Sequence, residues 1–127
     1  MPKQIIFTDQ LPAPKGPYSQ AVKAGDFFFI SGIIGVNPAD GSIADDLPGQ
    51  STQVLENLKV MLEENGGSLS DIVKTTVFLA DIADFPTLND IYAQYFPTEP
   101  PARSTIQALP PAGFLVEIEA IAYIPAN

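Results

Sequence analysis

The chain switches between two hydrophobic periods, and the switches mark its elements. Ile5-Ile6-Phe7, the run 19–25 and the run 26–36 carry the short apolar or alternating spacing of strands. Asn37-Pro38 and Asp40-Gly41 then supply a turn over 37–42. From about Pro48 to Asn65 the apolar positions Val54, Leu55, Leu58, Met61 and Leu62 fall on one helical face, and Gly66 is the expected C-terminal stop. The β-branched run 71–81 predicts a further strand. Asp84 stands where an N-cap belongs, Pro86 in the first turn and Pro97 just past the end of a second helix. Phe85, Leu88, Ile91, Tyr92 and Tyr95 form that helix's apolar side, and two strands, 102–108 and 114–124, complete the chain.

The order β-β-β-α-β-α-β-β predicts one α+β domain over residues 1–127, a sandwich of two helices on one face of a single sheet. That leaves a surplus of apolar surface. Phe27, Phe28, Phe29 and Ile30 send bulky groups to both faces of their strand. The last strand puts Val116, Ile118 and Ala120 on one side, and Leu115, Glu117, Glu119, Ile121 and Tyr123 on the other. A second face this greasy is expected to be buried by a partner subunit, the alternative being an open face with a few apolar residues.

Composition narrows the chemistry. With 127 residues the chain can bury a core, and the absence of any apolar run of about 18 residues argues against a membrane helix. The first residues lack the apolar stretch of a signal peptide, so a cytoplasmic protein is expected. Fifteen acidic residues against six basic ones give a net charge of −9, and the five lysines are scattered, a pattern unfavourable to nucleic acid. With no histidine and no cysteine there is no thiolate nucleophile, imidazole base or ordinary zinc or copper site. No calcium-loop pattern is present either, so no metal or other cofactor is expected.

Four features remain as candidate chemistry. Arg103, the sole arginine, opens a strand between two proline pairs. Its planar fork suits a carboxylate or phosphate, although a structural salt bridge to Glu117 or Glu119 would equally account for it. Glu117 and Glu119 point to one face of their strand, where one can hold water or accept its proton. Gly16-Pro17 delivers Tyr18, whose phenol can close a pocket or merely pack. Ser31-Gly32 permits close approach of a ligand to the backbone, or else marks a bulge.

Taken together and in order, "GPYSQAV", "ISGIIGVNPADGSI", "DIVKTTVFLADIADFPTLNDIYAQYF", "PPARSTIQ" and "VEIEAIA" resemble the RidA/YjgF family, also called L-PSP, over essentially the whole chain. The resemblance implies a chorismate-mutase-like protomer, a homotrimer with clefts between subunits, and hydrolysis of reactive 2-imino acids and their enamine tautomers to 2-keto acids and ammonia. It implies 2-iminobutanoate and 2-iminopropanoate as substrates. By motif, Arg103 corresponds to the carboxylate clamp, Glu117 to the water-orienting glutamate and Tyr18 to a catalytic tyrosine. Ser31, Gly32, Thr105, Phe85 and Asn89 correspond to substrate-binding positions. Two departures stand out: Ile33 where the family often has glutamine, and a segment 107–111 one residue shorter than usual. A non-enzymatic metabolite-binding or chaperone-like trimer, and less readily an endoribonuclease, are the alternative functions.

Overall fold

The structure is a computed structural model and describes residues 2–126. Six strands and two helices follow one another in the expected order. They are β1 (Gln4–Ile6), β2 (Ala21–Ala24), β3 (Phe27–Ile34), α1 (Leu47–Glu63), β4 (Ile72–Leu79), α2 (Phe85–Tyr95), β5 (Ala102–Gln107) and β6 (Val116–Tyr123). They form one mixed sheet in the order β1-β2-β3-β6-β4-β5, antiparallel throughout except for the parallel β4–β5 pair.

This topology follows from the crossovers. A strand that returns parallel to its predecessor needs a connection of a dozen residues or more, usually a helix. α1 carries the chain from β3 to β4, and α2 carries it from β4 to β5. β6 then enters antiparallel between β3 and β4 and becomes a central strand.

The core lies between the sheet and the two helices. Phe28, Ile30, Val77, Leu79, Val116, Ile118, Ala120 and Ala122 meet Val54, Leu55, Leu58, Met61, Leu62, Leu88 and Tyr92, all of them buried. Each fully buried leucine or isoleucine contributes about 1.5–3 kcal/mol relative to exposure. On the opposite face the expected surplus is present: Phe27, Phe29, Val73, Ile106 and Tyr123 are each 42–45% exposed.

Three details differ from the sequence reading. α1 begins at Leu47, where the Asp46 carboxylate accepts a 2.9 Å bond from the Gly49 N–H, and it ends before the predicted Asn65. Gly66 does adopt the left-handed conformation (φ 79°) that a stop requires. Asp84 occupies the N-cap position of α2 but its side chain caps nothing. A short 3₁₀ turn over Ile82–Asp84 runs straight into the helix and engages the Asp84 and Phe85 N–H groups. The cap has moved to Asp81, whose Oδ1 accepts a 2.9 Å bond from the Ala83 N–H. Finally, α1 buries three polar side chains, Gln50, Ser51 and Asn57, that hydrophobic periodicity does not predict.

Candidate active site

The predicted site residues fall into two groups on opposite faces of the sheet. The first gathers where β5 passes α2. Arg103 is the register partner of Thr75 on β4, and Thr75 points toward α2, where its Oγ1 and the Tyr92 hydroxyl share a buried 2.7 Å hydrogen bond. Laterally paired residues of adjacent strands face the same way, so Arg103 faces α2 as well. Its guanidinium carbon sits 4.7 Å from the centre of the Tyr92 ring and 5.3 Å from that of Phe85. Asn89, half-buried, follows Phe85 by one turn on the same stripe of the helix. Thr105, two residues beyond Arg103 on the same side of β5, holds a buried hydroxyl with no hydrogen-bond partner. A buried unpaired polar atom calls for an explanation, and an absent ligand or neighbouring chain is one.

The second group lines a cleft of about 550 Å³. Its walls come from the loop Leu11–Tyr18, from Ser31 and Gly32 on β3, from Glu117 on β6 and from the turn at Pro111-Ala112. β3 and β6 change register between Ile30 and Ile33, so Ser31 and Gly32 form a bulge in which Gly32 lies against Glu117. A Cβ at position 32 would run into the Glu117 carboxyl, so any larger residue there would push that side chain from its place in the cleft. Burial first, and the Glu119 carboxylate second, raise the Glu117 pKa above the ordinary glutamate value. Tyr18, 55% exposed, closes the outer side after a tight turn in which its N–H reaches the Gly16 carbonyl at 2.9 Å. Ser31 donates its hydroxyl to the Ser19 carbonyl at 2.6 Å, so it offers the cleft an acceptor lone pair rather than a donor.

The grouping settles one alternative. Glu117 and Glu119 pair with Phe78 and Thr76 of β4, which alternate with the helix-facing Thr75 and Val77. Both glutamates therefore lie on the face away from Arg103, and the structural salt bridge cannot form within a protomer. Among the described residues Arg103 makes no ion pair; its partners are the two rings. Glu119 is exposed and lies outside the cleft.

Both departures from the family pattern have a place. Ile33 pairs in register with Ile118 and packs against the core, and it also lines the cleft that holds Gly32 and Glu117. The short segment 107–111 is held by bonds from the Ala108 N–H to the Leu79 carbonyl at 2.9 Å and from the Ile82 N–H to Gln107 Oε1, also at 2.9 Å. It leads into a turn in which Ala112 takes a left-handed φ of 57° at the cleft wall.

Sequence reasoning missed the residues that shape the cleft from behind. Gln20 is buried, accepts a 2.7 Å bond from the Thr8 N–H and donates to the Thr8 and Pro12 carbonyls at 3.1 and 3.0 Å. It thereby folds the proline-rich loop into a wall. Asn57 donates to the Ile34 and Val36 carbonyls at 3.3 and 2.9 Å and anchors the end of β3. Gln50 accepts from the Leu115 N–H at 2.9 Å. The Gln50 and Asn57 amides sit among apolar positions of α1, the one available signal of such a role.

Among the described residues no cluster of three or more acidic side chains is arranged to hold a metal ion, and no helix is long and apolar enough to cross a membrane.

Comparison with known proteins places this geometry. Residues 8–124 match the family described as Endoribonuclease L-PSP. Over 122 residues the chain is 47% identical to the chloroplastic Reactive Intermediate Deaminase A of Arabidopsis thaliana, an alignment that covers 94% of this chain and 65% of that protein. It superposes on RidA from an Antarctic Psychrobacter with a TM-score of 0.91 at 43% identity, covering 95% of this chain and 99% of that one. Against E. coli TdcF, solved with bound serine, the TM-score is 0.89 at 41% identity, with 94% and 98% covered. The chain therefore belongs to the L-PSP family, the family of RidA.

Proposed function

We propose that this protein is a 2-iminobutanoate/2-iminopropanoate deaminase, acting as a homotrimer whose sites are completed between protomers. The carrying observation is Arg103: a half-buried cation held over two aromatic rings and, among the described residues, paired with no carboxylate. An anion must satisfy it once it is desolvated, and a bidentate carboxylate fits the fork. The serine bound in the related E. coli TdcF is a ligand of that kind. The neighbouring Thr105 hydroxyl, buried and unpaired, offers a further contact for the substrate or a second chain.

Arg103 and Glu117 lie on opposite faces of one sheet, so they address the same small molecule only when the β5–α2 edge of one protomer abuts the cleft of another. The open face carrying Phe27, Phe29 and Tyr123 supplies the apolar area for such an assembly.

The chemistry then needs little more than placement. Water adds to the C=N carbon to give a carbinolamine; its collapse expels ammonia and leaves the 2-keto acid. Arg103 fixes the substrate carboxylate, and Glu117 orders the attacking water, takes its proton and returns it to the departing nitrogen. A carboxyl with a raised pKa suits a group that both accepts and donates. Tyr18 closes the cleft, and Gly32 keeps the backbone beside Glu117 open.

The test couples threonine and a threonine dehydratase to capture of 2-iminobutanoate by semicarbazide. Wild type should lower the captured imine, while Arg103→Ala should lose that effect by roughly tenfold to more than a hundredfold, the range of a charge-assisted bidentate pair. A folded Arg103→Ala protein with full activity would sink the clamp. A non-catalytic metabolite-binding trimer would instead bind 2-oxobutanoate through Arg103 and leave the captured imine unchanged.

A further inference from the structure

We propose that Tyr92 is a positioning residue for Arg103: its ring, fixed by the Thr75 hydroxyl, holds the guanidinium in its binding orientation before substrate arrives. This role presupposes Arg103 as the carboxylate clamp. It assigns a function to two buried polar side chains that the hydrolytic steps do not use.

Three elements meet at this point. Thr75 on β4 is fully buried and stands directly beside Arg103 in the parallel pairing. Tyr92 on α2 is 6% exposed, and its hydroxyl meets Thr75 Oγ1 at 2.7 Å. On its other flank the Tyr92 ring packs against Phe96, with centroids 4.6 Å apart. The ring is thus held by a hydrogen bond at its tip and by a tilted aromatic neighbour at the C-cap of α2. Over it lies the Arg103 guanidinium at 4.7 Å, with Phe85, two turns earlier on α2, at 5.3 Å.

An aromatic face attracts a cation without using up its N–H donors. Arg103 is therefore ordered while its five-donor fork stays available. β5 is an edge strand, and a free arginine there would sample many rotamers, all of which binding would have to freeze. Rings that freeze them in advance remove that cost, so the benefit appears as substrate affinity and as orientation of the imine carbon toward its water. A carboxylate partner would order the side chain equally well but would occupy the fork. That is the physical reason for rings in place of an acid.

The experiment is a double-mutant cycle on the full-length protein, read as relative kcat/KM from competition with semicarbazide and as the Kd for 2-oxobutanoate by calorimetry. Tyr92→Leu should lower kcat/KM and weaken 2-oxobutanoate by roughly threefold to thirtyfold, the range expected of a cation–π contact. Tyr92→Phe, paired with Thr75→Val so that no buried hydroxyl is orphaned, should recover only part of both, since the ring is restored but the hydrogen bond that fixes it is not. In an Arg103→Ala background, Tyr92→Leu should cause no further loss, whereas a residue that only supports the fold would add its full effect. Phe85→Leu, at a half-buried position, repeats the test should Tyr92→Leu fail to fold. Wild-type kcat/KM in a folded Tyr92→Leu or Phe85→Leu protein, or an undiminished further loss in the Arg103→Ala background, overturns the assignment. If Arg103→Ala alone retains full activity, the clamp has failed instead, and the two failures are told apart by that single variant.

Discussion

Arg103 and Glu117 carry opposite electrostatic problems, and each sets a prediction. Arg103→Lys keeps the charge but loses the planar fork that lies over Tyr92, so kcat/KM should stay well below wild type, by about tenfold or more. A lysine variant with near-native activity would reduce Arg103 to a point charge. Glu117 has its pKa raised by burial and by Glu119, so the folded state binds its proton more readily than the unfolded chain does. Its protonated form favours folding; that contribution is present below the unfolded pKa and is lost as pH rises through the folded one. Glu117→Gln should therefore raise the thermal midpoint near neutral pH, with the gain shrinking toward pH 4, while deaminase activity falls. In wild type, the acid limb of kcat/KM should lie above the ordinary glutamate pKa, because the carboxylate is the form that takes the proton from water. A flat profile through that limb would remove Glu117 from the proton transfers.

Among the elements, the loop Leu11–Tyr18 depends on one buried amide. Gln20 makes two hydrogen bonds to the Thr8 backbone just before the loop and one to the Pro12 carbonyl within it. Gln20→Ala should cost about 1–3 kcal/mol in urea unfolding, because the Thr8 N–H is left buried and unpaired. The same variant should expose the loop to proteolysis ahead of the core; equal protease resistance would place the loop's order elsewhere. The turn Pro111–Gly113 is the reverse case. Ala112 sits at φ 57°, where a Cβ is unfavourable, so Ala112→Gly should leave stability unchanged or raise it by up to about 1 kcal/mol. A marked loss would mean that the Ala112 methyl contributes packing at the cleft wall.

At the scale of the whole molecule, the open sheet face and the separated site groups point to one assembly. Sedimentation at micromolar concentration should give three times the chain mass, and a charge at Tyr123, as in Tyr123→Glu, should dissociate the protein and abolish activity together. A stable, active monomer would dissolve the shared-site reading. The net charge of −9 predicts that RNA is held poorly even at low salt, and saturable binding there would reopen the endoribonuclease alternative.

By itself the sequence determined the elements, their order and the two-faced strands, because hydrophobic period is a local property read over a few residues. It also determined which chemistry is impossible, since a chain without histidine or cysteine cannot acquire them by folding. Boundaries were less legible: the Asp84 cap moved to Asp81 because a 3₁₀ turn fused to the helix, an outcome decided by hydrogen bonds that no spacing encodes. The site residues could be named from their motifs, but not placed. Whether Arg103 lies with Glu117 or away from it depends on the register of β4 against both β5 and β6, and a one-residue slip in either would reverse the answer. Tyr92 read only as an apolar helix position. It became the seat of a cation when the β4-α2-β5 crossover laid its ring against a strand ten residues downstream.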